Sequence, residues 1–186
     1  MRFIFKLGQC LCVIVLLVVA GTSQSKPRLL VSPVLYQDQP IVIVGREVAG
    51  EPFKENEKII ADEDWLKQLV LEVKNVSSKN IKSFDIDLVI KDRGLPVLAF
   101  PINFRTYTKP NTSDALTTNG EAKVGVLQPG ESVKVKITAH SFEVFTNELK
   151  KRNLENVERA TIEFRFVYFD DGTNWAFGKQ SRIPQM

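Results

Sequence analysis

Apolar and polar positions alternate with a period of two over two stretches between Trp65 and Asp92. Leu69, Leu71 and Val73 share one face of the first, and Phe84, Ile86, Leu88 and Ile90 share one face of the second. A half-buried β-strand places its side chains at this period. Between the two lies Asn75-Val76-Ser77-Ser78-Lys79-Asn80, where Asn and Ser side chains can bond the local backbone and turn the chain. The unit predicts a pair of antiparallel strands with one buried face.

The same pattern recurs downstream. Val133, Val135 and Ile137 alternate with Lys134, Lys136 and Thr138 after the turn Leu127-Gln128-Pro129-Gly130-Glu131-Ser132, in which Pro presets one turn dihedral and Gly accepts the positive one. Ile162, Phe164, Phe166 and Tyr168 are expected on one face of a further strand, with Thr161, Glu163 and Arg165 on the other. Asp171-Gly172 then reverses the chain into Trp175 and Phe177, as an Asp-Gly pair does in a hairpin. Ile41–Val44 reads as the first strand of the domain, and Leu98, Phe100, Ile102 and Phe104 as an edge strand broken by Pro101. Periodicity changes once, where Phe142, Phe145 and Leu149 fall on one helical face. A crossover helix over 141–152 is expected there, capped by Ser141 and ending in Lys150, Lys151 and Arg152.

These elements predict an all-β domain with one crossover helix, an immunoglobulin-like antiparallel β-sandwich of seven or eight strands over residues 41–180. Residues 24–40 contain Pro27, Pro33 and Pro40 and read as a linker or edge segment, because proline cannot donate to a ladder. Residues 181–186 read as a frayed tail. The acidic stretch 50–64 reads as a solvated loop, and Tyr107–Gly120 as the longest polar loop of the chain.

The amino terminus changes the picture of where the domain resides. Arg2 and Lys6 precede an eleven-residue apolar run, Cys10–Ala20, followed by Gly-Thr-Ser-Gln-Ser. This is the layout of a secretory signal peptide, assigned to 1–23 with a cut after Ala20 or Ser23, and the run is well short of the ~20 residues that span a bilayer. The expectation is an exported chain, periplasmic, cell-surface or secreted, touching a membrane only through that segment. Cys10 and Cys12, the two cysteines, leave with it, so the mature domain is expected to hold together without disulfides. Without Arg2 and Lys6 the formal charge falls from +3 to +1, which removes the electrostatic case for nucleic acid.

Candidate chemistry is sparse. His140 is the single histidine, and no zinc spacing, nucleophile elbow or phosphate-binding glycine loop accompanies it. No catalytic, cofactor or metal residue is expected. A carboxylate hydrolase using Asp85 with Asp87, or Asp170 with Asp171, is the remote enzymatic alternative. Asn75-Val76-Ser77 and Asn111-Thr112-Ser113 are glycosylation sequons, relevant only in a eukaryotic source. Tyr168, Phe169 and Trp175 around the Asp171-Gly172 turn, with Tyr107 in the polar loop, are the candidate contacts for a protein or glycan partner, since aromatics dominate interface hot spots.

Three segments, 65–92, 127–137 and 159–178, resemble the immunoglobulin-like, CARDB-type domains of exported bacterial proteins. The likeness lies in a strand ending in Asn and small polar residues, the Leu-x-Pro-Gly-Glu turn into a strand, and the closing hairpin FRFVYFDDGTNWAFG. It implies the fold and no shared catalytic residues. The functional expectation is a non-catalytic module for binding or assembly in the envelope or extracellular space. The alternative is a structural or stress-protective envelope protein without a discrete ligand.

Overall fold

The computed structural model describes residues 25–33, 35–36, 38–92, 95–105, 125–154, 156–176 and 179–182. Within these residues the chain forms two sheets, one helix and one short 3₁₀ turn. The strands are β1 Lys26–Val31, β2 Ile41–Val48, β3 Glu51–Pro52, β4 Lys58–Ala61, β5 Leu69–Asn75, β6 Ile81–Asp92, β7 Leu95–Arg105, β8 Ser132–Lys136, β9 Arg159–Phe169, β10 Thr173–Ala176 and β11 Lys179–Arg182. Helix α1 spans Ala139–Lys151, and the 3₁₀ turn Trp65–Gln68 leads into β5. The expected all-β sandwich with one helix is therefore present.

The smaller sheet runs β3-β2-β5-β8. In the larger, β9 pairs with β6 along one edge, and β6 pairs with β7. The order β2-β5-β8 in one sheet and β7-β6-β9-β10 in the other frames the sandwich, with α1 joining β8 to β9. Eleven strands replace the seven or eight expected, because β1, β3, β4 and β11 add to this frame.

Two of those additions correct the sequence reading. Lys26–Val31, expected as a linker or edge segment, is a strand between β4 and β9, and its pairing with β9 is parallel, Leu29↔Arg159 to Val31↔Thr161. Pro27 sits where only β4 flanks the strand, so its missing N–H interrupts no rung to β9. At the other end Ser181 and Arg182, expected in a frayed tail, belong to β11 and pair with β10. The acidic stretch likewise contributes β3 and β4. The signal segment and the Tyr107–Gly120 loop lie outside the described residues.

The core lies between the sheets and under α1. Leu69, Leu71 and Val73 of β5 meet Phe84, Ile86, Leu88 and Ile90 of β6, and Phe142, Phe145 and Leu149 close one end from the helix. Thr138, not Ser141, caps α1: its side chain accepts from the Ser141 N–H at 2.9 Å. Trp65 is fully buried and donates its indole N–H to the Val157 carbonyl at 2.8 Å, and that carbonyl also accepts from buried Arg28. The β1 strand is thus tied to the segment that follows α1. Gly45 answers a different need. A Cβ there would stand 2.9 Å from the Glu72 carboxylate and 3.0 Å from its Cβ, at a bulge where Val44 has no partner on β5.

Asn75 pins the two sheets at one end. It is fully buried, and its amide donates to the Lys79 carbonyl at 2.8 Å and the Leu127 carbonyl at 3.0 Å. Its carbonyl oxygen accepts from the Ser77 N–H and hydroxyl, while its backbone pairs with Glu131 and Gly130. Both amide hydrogens are committed, so the sequon at Asn75 is closed in the folded chain. Asn75→Ala is expected to lower stability by about 2–3 kcal/mol by deleting the two hydrogen bonds its amide donates and the two its side-chain oxygen accepts. Chemical unfolding monitored by Trp65 fluorescence measures this, and an unchanged midpoint would refute the clamp.

Candidate functional site

The register of β9 decides which side chains face solvent. Phe164 pairs with Ile86 and Val167 with Phe84, both inward, although Phe164 and Val167 are three residues apart. The parity break is a bulge: Arg165 and Phe166 together oppose Asp85 on the outer side. A matching bulge on β6, at Lys82, keeps Ile81 inward opposite Phe169. The expected face of Ile162, Phe164, Phe166 and Tyr168 is thus split. Ile162 and Phe164 enter the core, but beyond the bulge the core residues are Val167 and Phe169. Phe166 and Tyr168 turn outward.

The four expected contact residues therefore separate. Tyr168 stands half-buried on the outer face of the larger sheet. Phe169 and Trp175, expected around an exposed turn, are 5% and 2% exposed; Trp175 pairs with Val167 across β10 and shares its inward face. Tyr107 lies outside the described residues. Two residues not singled out from the sequence join Tyr168. Phe166 stacks on it with ring centroids 6.1 Å apart and planes at 27°, and the Arg165 guanidinium lies 5.8 Å from the Phe166 ring centre. An arginine, a phenylalanine and a tyrosine thus form one ladder on a rigid sheet.

An ion pair holds the ladder's cationic end. Arg165 Nε lies 3.3 Å from Asp87 Oδ2, with side chains 47% and 7% exposed. Burial pushes the Asp87 carboxyl above its ordinary range, Arg165 opposes this, and Asp85 and Glu163 add to it. Asp87 Oδ1 has no partner among the described residues. Lys91 and Glu163 pair alongside at 3.3 Å, so the charges of this face are largely matched.

The other carboxylates proposed for chemistry are engaged in the fold. Asp170 accepts from the Asn80 amide at 2.8 Å. Asp171 is held well below the usual carboxylate range by the Lys79 ammonium at 2.8 Å and by Thr173. His140 is exposed near the start of α1.

A cleft of about 380 Å³ opens at the end of the sandwich that Asn75 pins. Phe169 and Trp175 form part of its wall, with Pro40 and the turn Val76–Lys79 around them. Tyr36 packs edge-on against Trp175 at 5.9 Å between centroids. The turn 75–80, expected only to punctuate the fold, also lines this space.

No protein-family model, no curated protein and no solved structure matches the chain significantly.

Because the folded-state pKa of Asp87 lies above its unfolded value, the ionised carboxylate weakens the fold at neutral pH, and that loss disappears as acid protonates the group in both states. Asp87→Asn is expected to raise the unfolding midpoint at pH 7, with the gain closing below about pH 4, near the unfolded carboxylate value. Thermal unfolding across this range tests it; a destabilised Asp87→Asn at pH 7 would show instead that the Arg165 pair outweighs burial.

Proposed function

We propose that the chain is an exported, non-catalytic immunoglobulin-like module that works by binding or assembly in the envelope or extracellular space. Its working surface is the outer face of the larger sheet around Arg165, Phe166 and Tyr168. The observation that carries this reading is the bulge at Arg165. A bulge gives up a ladder hydrogen bond, about 0.5–1.5 kcal/mol, and bulges recur where a side chain is re-aimed for use. Here it takes two aromatic residues of a central strand out of the core and sets them beside an arginine. Arg, Tyr and Phe are the types enriched at the centres of interfaces.

The surroundings support a flat macromolecular partner, a protein or a glycan. The ladder stands on a continuous sheet, and its charges are matched within the face, so recognition falls to aromatic contact and hydrogen bonding, not to net charge. The signal-like segment 1–23 and the CARDB-type pattern of 65–92, 127–137 and 159–178 support export. The commitment of Asp170 and Asp171 to Asn80, Lys79 and Thr173 supports a non-catalytic reading.

Phe166→Ser and Tyr168→Ser point to solvent and are expected to fold as the wild type does. Each should reduce retention of partner material from envelope extracts by about 30-fold, the loss of a hot-spot residue worth about 2 kcal/mol. Immobilised wild type and variants compared by quantitative mass spectrometry supply the measurement. Identical captured material from all three would remove this face from function, and a wild type that retains nothing would favour a structural envelope protein.

A further inference from the structure

The end cleft carries an observation independent of the outer face. Trp175 lines it and is 2% exposed, and its indole N–H has no acceptor among the described residues. Trp65, the other tryptophan, is equally buried and donates to Val157, as a buried indole ordinarily does. Leaving a buried donor unpaired costs about 1–3 kcal/mol. An orphan beside a cleft therefore asks what would satisfy it.

The lining answers by its imbalance of donors and acceptors. The Gln39 side chain is committed at both ends, donating to the Ile41 carbonyl and accepting from the Tyr36 N–H. The Ser77 hydroxyl is bonded to Asn75 and to the Lys79 backbone. The Lys79 ammonium has three N–H donors, two of which go to Asp171 at 2.8 Å and Thr173 at 3.0 Å. It also lies 5.3 Å from the centre of the Phe169 ring. The cleft thus offers a third ammonium donor between apolar walls of Phe169, Trp175, Pro40 and Val76, and the indole N–H lies buried in that wall, out of reach until the side chains over it move. Asp38 is the only carboxylate of the lining among the described residues.

We infer that this cleft is a second binding site, taking a small ligand that joins a compact apolar group to a carboxylate. The apolar group occupies the aromatic wall, and the carboxylate accepts from Lys79 and, as the wall opens, from the Trp175 indole. A cleft of this size falls within the range of small-molecule sites, and a charged acceptor makes the stronger bond to such donors.

The two indole N–H resonances of ¹⁵N-labelled protein report on this directly, Trp65 serving as the internal control. Benzoate and hexanoate are the probes, with benzyl alcohol and hexanol as neutral counterparts. The expected result is a saturable downfield shift of the Trp175 indole resonance with a carboxylate and no shift of Trp65. Lys79→Met should weaken the response about 2–5-fold, the range of a solvent-accessible charge contact. Asp38→Asn should strengthen it. Trp175→Phe should keep the stability of the wild type, since it removes an unpaired donor and leaves a ring in place, while abolishing the fluorescence response to benzoate. Equal shifts with the neutral probes, or no saturable shift with either carboxylate, would overturn the inference. Loss of the Trp65 resonance pattern in a variant would mark misfolding, and the wild-type titration then decides alone.

Discussion

The register between β6 and β9 governs what the rest of the chain can do. β9 carries β6 along one edge and both β1 and β10 along the other, so any shift in its parity moves the core, β1 and β10 together. One extra residue at Arg165 and one at Lys82 let Ile81, Phe84, Ile86, Phe164, Val167 and Phe169 all face inward. A straight β9 would bury Phe166 and Tyr168 in place of Val167 and Phe169. The tyrosine hydroxyl would then need a partner inside an apolar core, at about 1–3 kcal/mol if it found none, and Trp175 would lose Val167 as its inward neighbour across the pair.

The same register builds the end of the sandwich. Ile81 exchanges backbone bonds with Leu127 at 2.9 Å in each direction, and the Leu127 carbonyl also accepts from the Asn75 amide. Asn80 and Asp170 join the adjoining turns, and Lys79 reaches across to Asp171 and Thr173. The turn after β5, the strand entry after Leu127 and the hairpin after β9 are thus one hydrogen-bonded unit. The cleft beside Trp175 is lined by this unit, and the hairpin after β9 extends the larger sheet.

Much of this was legible from residue order. The inward faces of β5 and β6, the Pro129-Gly130 turn, the Asp171-Gly172 turn and the buried stripe of α1 all follow period or turn chemistry, because at each of these places only one choice satisfies both. Arg159–Phe169 was different. From Phe164 to Phe169 apolar residues occupy both parities, so alternation alone cannot say where the strand changes face, and the bulge is set by neighbours distant in sequence. This parity carries into the site: Phe169 and Trp175, named as candidate contacts, are buried, while Arg165 and Phe166 were not singled out as contacts. β1 was hidden for a related reason. Its prolines disfavour a ladder locally, and its parallel pairing with β9 depends on residues more than a hundred positions away. That the Trp175 indole lacks an acceptor among the described residues leaves no trace in sequence, since it is a property of what fails to reach it.

The orientation of the four residues around the bulge is the claim on which the outer surface rests, and the chain suits a direct measurement. A chain prepared from Ser25 onward carries no cysteine, so single cysteines at positions 164, 166, 167 and 168 can be labelled in it without background by a thiol-reactive maleimide under native conditions. Fast labelling at 166 and 168, with protection at 164 and 167 until the protein unfolds, is the result expected of the bulged strand. Protection at 166 and 168 with fast labelling at 167 would mean an unbroken alternation, and the aromatic ladder would then belong to the core.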